Sequence, residues 1–441
     1  MIKIFSDKIT NKLIYTCDYI FSDHLGLNYS ITSNLNDFLN FDGIKINYSA
    51  NYYKNTINIF PQNLLFEKNI SLYEKPPTSI HPDFKLIIFP YQEFNPPFYT
   101  IPFDIFSAIF WILSRIEEYF SISKDNFGRF DYKNSIFFHH NTLKYPIISH
   151  WLKMFIFKIN QFLNCSLSYK PNYKIKIIID VDSLFGLKFK SFLRKFALII
   201  KFLFNKDFDF FIRSFNFFTQ KKDPFDTFDA ISELSKIINV KPILFILINL
   251  KKTKYDRNLL PTKKFFIEKI KDLSKNFEIG LHSSFYSIER NTLLKEKQIL
   301  ESIVNKEITK HRFHYLRITD FSKNYSFLEN SGFTEDYSLS YPDIISYRAG
   351  TTFPFKYFNL IEDKITNLTI YPVTFMDTYF IKKKQLKEYQ VTTEILEILS
   401  HFKEFGGIFV ISIHNNNFRK INDIEFEKVW YKILLDATSN C

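Results

Sequence analysis

The fold is decided by one short stretch of the chain, which reads KIKIIIDVD at residues 174–182. A run of β-branched apolar residues of this length is typical of a strand buried in a parallel sheet. In such folds the carboxyl ends of the strands meet at one edge, where the chemistry is found. Asp180 and Asp182 stand two residues apart at that end, so their side chains point the same way. Paired carboxylates suit proton transfer or metal binding, although they also cap loops after strands without any catalytic role.

Three other segments end in polar residues and add candidates for the same site. His282 follows the run FEIGL, His314 and Arg317 stand in the segment RFHYLR, and His414 follows GIFVISI. A lone histidine is more often structural than a ligand. Two aspartates and two histidines at the ends of three strands nevertheless fit a metal-assisted hydrolase. Arg317 could pair with a catalytic carboxylate and hold it ionised.

Strand and helix patterns alternate from residue 172 to the end of the chain, which predicts an α/β fold whose parallel sheet closes like a barrel. The predicted strands are 174–180, 243–248, 277–281, 312–316, 333–337, 368–373 and 408–413. The predicted helices are 226–238, 263–274, 287–304, 320–330, 385–404 and 423–435. The stretch 166–173 contains Pro171 and marks a boundary, so we expect a smaller α+β domain over 1–165 and a (β/α) barrel over 172–441.

One helix is clear before this boundary. It runs from Ile105 to Phe120 after Asp104, a suitable N-cap. Arg115, Glu117 and Glu118 near its end form either a surface ion-pair cluster or a wall that faces the second domain.

An insertion near residues 187–220 has a different pattern. Apolar residues from Phe189 to Leu203 recur on one helical stripe, with lysine and arginine around them. This pattern predicts a helix that covers the barrel or the N-terminal domain, or else a basic amphipathic surface that rests on an anionic membrane.

The composition excludes several classes of protein. The 441 residues carry a net charge of +12, but the 54 Phe and the many Lys and Asn residues indicate a compositional bias rather than a nucleic-acid groove. The three cysteines lie far apart, which predicts a reducing compartment and no disulfide framework. Because neither a signal peptide nor a membrane-spanning stretch is evident, we expect a cytoplasmic protein without an integral membrane segment.

Taken together, the segments Asp180-Val181-Asp182, Glu278 to Ser283 and Ile411 to Asn415 resemble motifs of the polysaccharide deacetylases of the NodB-homology type, relatives of carbohydrate esterase family 4. Further segments, 312–317, 336–341 and 347–355, resemble a distinct branch of this family. The segment from Phe103 to Glu118, with Gly128-Arg129-Phe130, resembles the uncharacterised domain that precedes the deacetylase in that branch.

This resemblance implies an irregular (β/α) barrel of the deacetylase type that removes acetyl groups from an N-acetylated or O-acetylated carbohydrate. It implies Asp180 as the general base, His414 as the catalytic acid and Arg317 as the arginine that tunes the base. It also implies a divalent metal, with zinc favoured, held by Asp182 and His282. We further expect Arg348, Tyr315 and Asn415, within the resembling segments, to contact the substrate.

One position departs from the family's pattern. The second motif commonly has another metal ligand four residues after its first histidine, and here that position is Tyr286. A neutral tyrosine is a poor ligand for a divalent metal, so His314 is the first candidate for the third ligand. Two alternatives follow from the departure: a metal-independent amidase on the same fold, or an inactive glycan-binding or scaffold protein.

Overall fold

The structure is a computed structural model, and it describes residues 1–91, 100–121, 123–204, 208–220, 222–383, 385–421 and 424–438. The strands in the described residues are β1 (Ile2–Ser6), β2 (Tyr29–Thr32), β3 (Ile44–Tyr48), β4 (Ile57–Ile59), β5 (Thr78–His81), β6 (Lys85–Ile88), β7 (Tyr173–Val181), β8 (Ile243–Ile248), β9 (Glu278–Ser283), β10 (Lys310–Phe313), β11 (Glu335–Asp336), β12 (Phe355–Asn359), β13 (Lys364–Ile370), β14 (Gly407–His414), β15 (Lys420–Ile421) and β16 (Ile424–Glu425).

The helices in the same part of the chain are α1 (Asn11–Cys17), α2 (Leu35–Leu39), α3 (Ile105–Leu113), α4 (Ile116–Phe120), α5 (Ile136–His139), α6 (Ile147–Leu163), α7 (Phe192–Phe204), α8 (Phe208–Gln220), α9 (Phe228–Ile238), α10 (Lys264–Asn276), α11 (Leu293–Val304), α12 (Phe321–Asn330), α13 (Asp377–Lys382), α14 (Glu388–Phe405) and α15 (Phe426–Thr438). A π-helix at Asp18–His24 follows α1, and short 3-10 turns include His314–Leu316 and Asn415–Asn417.

An eight-stranded sheet with the order β12-β13-β11-β10-β9-β8-β7-β14 forms the centre of the molecule. Every pairing in it is parallel except that of β12 with β13. The predicted α/β class with a parallel sheet is therefore confirmed. β7 pairs in register with β14, so that Asp180 lies opposite His414. The two motifs that are most distant in sequence therefore meet at one edge of the sheet.

The sheet is strongly curled. Neighbouring strands lie about 4.8 Å apart, so in a flat sheet Arg312 on β10 and Ser412 on β14 would be roughly 19 Å apart. Instead, Nη2 of Arg312 donates a hydrogen bond to Oγ of Ser412 at 3.0 Å. A parallel bridge between Met376 and Ser412 covers part of the free edge of β14, which narrows the gap between the edge strands β14 and β12. No ladder in the described residues joins the edge strands β12 and β14, so the sheet is an open half-barrel.

A second sheet, of four parallel strands in the order β2-β1-β3-β4, lies in the N-terminal region. One hydrophobic core runs through both regions. Polar contacts also cross between them: the Tyr15 hydroxyl donates to the carbonyl of Lys356, and Tyr19 and Thr351 share a hydrogen bond of 2.6 Å. The division into domains at 1–165 and 172–441 remains a prediction.

Three predictions of local structure need correction. The helix predicted over 105–120 is two helices, because Arg115 adopts a left-handed backbone (φ 57°) between α3 and α4. The strand predicted over 312–316 ends at Phe313, since Tyr315 and Leu316 also have positive φ. The predicted insertion helix is the pair α7 and α8. In the described residues no helix combines the length and the hydropathy needed to cross a bilayer.

Candidate active site

Six of the predicted residues line one cleft of about 250 Å³ at the carboxyl edge of the curled sheet: Asp180, Asp182, His282, His314, Tyr315 and His414. Asp180 lies at the end of β7, and Asp182 lies just beyond it. His282 lies on β9, His314 directly follows β10, and His414 closes β14. Close packing supports this edge, because Gly280 leaves room for the ring of Phe245, which a Cβ at that position would meet at 2.5 Å.

Asp182, His282 and His314 form a compact group whose ligand atoms all lie within 4.8 Å of one another. Oδ1 of Asp182 is 3.2 Å from Nε2 of His282 and 3.6 Å from Nε2 of His314. Zinc bonds to oxygen and nitrogen of about 2.0–2.2 Å place neighbouring ligands of a tetrahedron about 3.3–3.6 Å apart. The separations therefore match those of ligands that share one ion.

The second nitrogen of each imidazole is already engaged. Nδ1 of His282 lies 2.9 Å from the carbonyl oxygen of Arg312, to which it can only donate. Nδ1 of His314 lies 3.0 Å from Oδ1 of Asp256, a buried carboxylate. A histidine that donates from Nδ1 presents the lone pair of Nε2, which is the arrangement that metal-binding histidines use. Oδ1 of Asp182 is buried and accepts no hydrogen bond. The donor set thus fits a divalent metal such as zinc.

The charges within this group are coupled. Burial lowers the pKa of His314, but the carboxylates of Asp182 and Asp256 outweigh it and raise that pKa to about 9. A bound cation has to displace this proton, so metal affinity falls as the pH falls.

Asp180 has a different partner from the one predicted. Its carboxylate is 1% exposed and lies 2.8 Å from Nε of Arg312. The same guanidinium donates to the carbonyl of Tyr337 and to Ser412. The guanidinium of Arg312 therefore places a fixed positive charge directly beside this buried carboxylate.

His414 faces both aspartates. Its Nε2 is 3.9 Å from Oδ2 of Asp180 and 3.8 Å from Oδ2 of Asp182. Its Nδ1 lies 2.7 Å from Oδ1 of Asp377, whose Oδ2 also accepts the backbone N–H of His414. Burial lowers the pKa of His414, but Asp377, Asp182 and Asp180 together raise it to about 10. His414 is therefore protonated at neutral pH.

The structure does not bring Arg317 to Asp180, which corrects the prediction. The left-handed turn at Tyr315 and Leu316 carries the chain away from the interior of the sheet. Arg317 instead donates to the carbonyls of Phe127 and Phe285 and pairs with Glu289. Arg312, at the other end of the same segment, occupies the position expected for it.

The predicted substrate contacts divide in a similar way. Tyr315 lines the cleft and is 37% exposed. Arg348 lies outside the cleft lining, because it is buried in a bidentate pair with Glu118. Asn415 is also buried, and its amide donates to the carbonyls of Ser183 and Phe225. The last two residues therefore support loops around the cleft and do not face it.

The N-terminal region contributes one wall of the cleft. Phe127 and Arg129 line it, in a loop that an antiparallel bridge between Lys124 and Phe130 holds closed. Nη1 of Arg129 donates to the carbonyl of Tyr315 at 2.6 Å, and the rings of Phe127 and Tyr315 pack 5.3 Å apart. The loop thereby supports the strained turn that carries His314.

The sequence analysis did not assign Arg312, Asp256 or Asp377 to the site. A signal for Arg312 was present: arginine is rare in this lysine-rich chain, and Arg312 stands two residues before His314. Asp256 lies in a loop and Asp377 is the first residue of α13. Neither has a motif around it, so only the fold brings them to the histidines.

Comparison with known proteins gives limited similarity. Residues 2–164 match the model of a family of unknown function, DUF7033. No curated protein matches the chain. One similar solved structure is a protein assigned to the polysaccharide deacetylases from Mycobacterium smegmatis, with 13% identity, a TM-score of 0.40, and coverage of 62% of this chain and 86% of that one. Another is the allantoinase PuuE, with 13% identity, a TM-score of 0.38, and coverage of 60% and 84%. A polysaccharide deacetylase from Bacillus cereus has 10% identity, a TM-score of 0.30, and coverage of 60% and 88%.

Proposed function

We propose that this protein is a metal-assisted hydrolase that removes an acetyl group from an N-acetylated or O-acetylated carbohydrate. The observation that carries the proposal is the geometry of the cleft. The carboxylate of Asp180, the imidazole of His414 and an Asp-His-His ligand group face one another across less than 4 Å. The motif resemblance of segments 180–182, 278–283 and 411–415 supports the same chemistry.

Asp182, His282 and His314 would hold the divalent metal, with zinc favoured. When bound, such an ion polarises the acetyl carbonyl and lowers the pKa of water. His314 takes the place of the ligand that Tyr286 cannot supply. Asp256 fixes the ring of His314, and the carbonyl of Arg312 fixes that of His282.

Asp180 is the proposed general base. Arg312 holds its carboxylate in place, and this carboxylate would accept a proton from the attacking water as the new C–O bond forms. His414 is the proposed general acid, and Asp377 keeps it protonated. It donates its proton to the leaving amine or hydroxyl group as the bond to the acetyl carbon breaks, which releases acetate.

We also propose a division of the chain into two domains and a cytoplasmic location. Residues 172–441 would form an irregular (β/α) barrel of the deacetylase type, and residues 1–165 a separate α+β domain that supplies Phe127 and Arg129 to the cleft. Tyr315 would contact the sugar. The described cysteines Cys17 and Cys165 are free thiols, which agrees with a cytoplasmic location.

The test is acetate release from a panel of N-acetylated and O-acetylated oligosaccharides by the full chain, with and without added zinc. We expect zinc-dependent release that Asp180→Asn abolishes. The matched control Asp272→Asn removes an exposed carboxylate (side chain 65% exposed) and should leave the rate unchanged. Equal acetate release in the presence of a chelator would favour the metal-independent amidase, and no release from any substrate by zinc-loaded protein would favour the inactive alternative.

A further inference from the structure

Exposed large apolar side chains are concentrated on the helix pair α7 and α8. Large apolar side chains that are more than 40% exposed occur on both helices: Phe192, Leu193, Phe196, Leu203 and Phe204 on α7, and Phe211, Ile212, Phe215 and Phe218 on α8. Single exposed apolar residues are ordinary, but contiguous exposed patches mark interaction sites. The helix pair is therefore a candidate interaction surface.

On each helix these side chains lie on one face. At 100° per residue, the exposed apolar positions of α7 fall within about 120° of the helix circumference, as do those of α8. The two helices pack against each other, and Nζ of Lys195 on α7 lies 5.1 Å from the ring of Phe217 on α8. Arg194 and Lys201 lie on the part of the α7 circumference outside this apolar face.

The helix pair and the turns that flank it carry a net positive charge. Between Lys188 and Lys222 the described residues include seven lysines and arginines, against the single acid Asp209, which already pairs with Arg213 at 2.8 Å. A basic amphipathic helix with Phe and Leu on its apolar face is the pattern of segments that lie in the interface of an anionic bilayer. A symmetric contact between two copies would bring the same positive surfaces together, which disfavours self-association.

Hydrogen bonds tie together the two ends of the segment that carries α7 and α8. The carboxylate of Asp223 accepts the backbone N–H groups of Gly186, Leu187 and Lys188 at 2.6, 3.0 and 2.7 Å. This anchored turn begins four residues after Asp182. The pair therefore projects from the same edge of the sheet as the candidate active site.

We propose that α7 and α8 form a docking surface for an anionic lipid bilayer, and that docking holds the catalytic edge of the sheet at the membrane surface. The docking itself is independent of the proposed function. Only its consequence, access to acetylated glycans at a membrane, rests on that function.

The test is co-sedimentation of the full chain with vesicles of phosphatidylcholine containing phosphatidylglycerol, compared with pure phosphatidylcholine vesicles. We expect binding to the anionic vesicles that weakens as salt is raised. The triple variant Phe192→Glu, Phe204→Glu, Phe215→Glu should bind at least about tenfold more weakly, because it places carboxylates on the face that enters the bilayer.

A matched control replaces apolar residues that are equally exposed elsewhere. Leu72 is 70% exposed and Ile361 79%, and the variant Leu72→Glu, Ile361→Glu should bind vesicles as the natural chain does. Circular dichroism should give all variants the same melting temperature. Unchanged vesicle binding by the triple variant would overturn the proposal. Sedimentation that shows dimers formed through these residues would also overturn it. The same holds if the natural chain binds no vesicles but captures an acidic protein that the triple variant does not capture.

Discussion

Two clusters of closely spaced acidic and basic side chains in this molecule have different roles. The cleft cluster consists of Asp180, Asp182, His282, His314 and His414. The junction cluster consists of Arg115, Glu117, Glu118 and Arg348, where α4 meets the segment after β11. In the junction cluster each charged side chain has a partner of opposite charge within the protein. Glu118 pairs with Arg348 at 2.7 Å and with Arg115 at 2.8 Å, and Glu117 also pairs with Arg115.

The cleft cluster is left incomplete. Oδ1 of Asp182 accepts no hydrogen bond, and Nε2 of His282 and of His314 lie 3.2 and 3.6 Å from it. Asp182 also keeps 37% of its side chain open to solvent, whereas Glu118 keeps 3%. Burial of charged groups alone therefore does not indicate a functional site. What distinguishes a site is a set of donors that converge on a point which the protein leaves unfilled.

Replacing an acid by its amide should reduce activity in the cleft cluster and stability in the junction cluster. The larger effect is expected in the cleft. We expect Asp182→Asn to reduce acetate release at least about a thousandfold, because the loss of a metal ligand removes several kcal/mol of transition-state stabilisation. The free energy of unfolding, measured by urea denaturation in the presence of a chelator, should change by less than about 1 kcal/mol. Full activity in this variant would mean that the cleft does not hold a metal through Asp182.

Glu118→Gln should leave the cleft chemistry intact but weaken the fold. It leaves the guanidinium groups of Arg115 and Arg348 buried without a full counter-charge, so the free energy of unfolding should fall by about 3–5 kcal/mol. The control Glu404→Gln breaks an exposed pair with Lys153, whose side chains are both 43% exposed, and should cost at most about 1 kcal/mol. Equal costs for the two variants, measured by urea denaturation, would contradict the role given to the junction cluster.

Within the cleft, Asp377→Asn tests the acid. The carboxylate of Asp377 raises the pKa of His414, so its loss lowers that pKa. The protonated acid exists below its pKa, and the alkaline limb of the pH–rate profile should therefore move to lower pH. At pH 8 the rate should fall about tenfold to a hundredfold. A profile that keeps its alkaline limb would assign the proton donor to another group.

The smallest expected effect separates two neighbouring arginines. Arg317→Lys should keep the rate within about threefold, since Arg317 contacts loop carbonyls and Glu289. Arg312→Lys should lower the rate sharply, because a lysine cannot contact Asp180, Tyr337 and Ser412 together. The reverse order of effects would restore Arg317 as the partner of the base.

Much of the fold could be predicted from the sequence, because nearly continuous apolar runs such as 243–248 and 408–413 are typical of buried parallel strands. The backbone at Arg115 and Tyr315 could not be predicted, since left-handed conformations of these residues depend on tertiary contacts. For the site, strand-end residues were identifiable because parallel strands share one edge. Arg312 and Arg317 could not be ranked without knowing that β10 ends at Phe313. Asp256 and Asp377 lie far in sequence from the histidines they hold.

The most direct measurement is anomalous diffraction at the zinc edge from crystals of the natural chain and of His314→Ala. The account predicts one peak in the natural chain, about 2.0–2.2 Å from an oxygen of Asp182 and from Nε2 of His282 and His314. In His314→Ala the peak should weaken or vanish. A full peak in the variant, or an ion in the natural chain that His314 does not contact, would contradict the account.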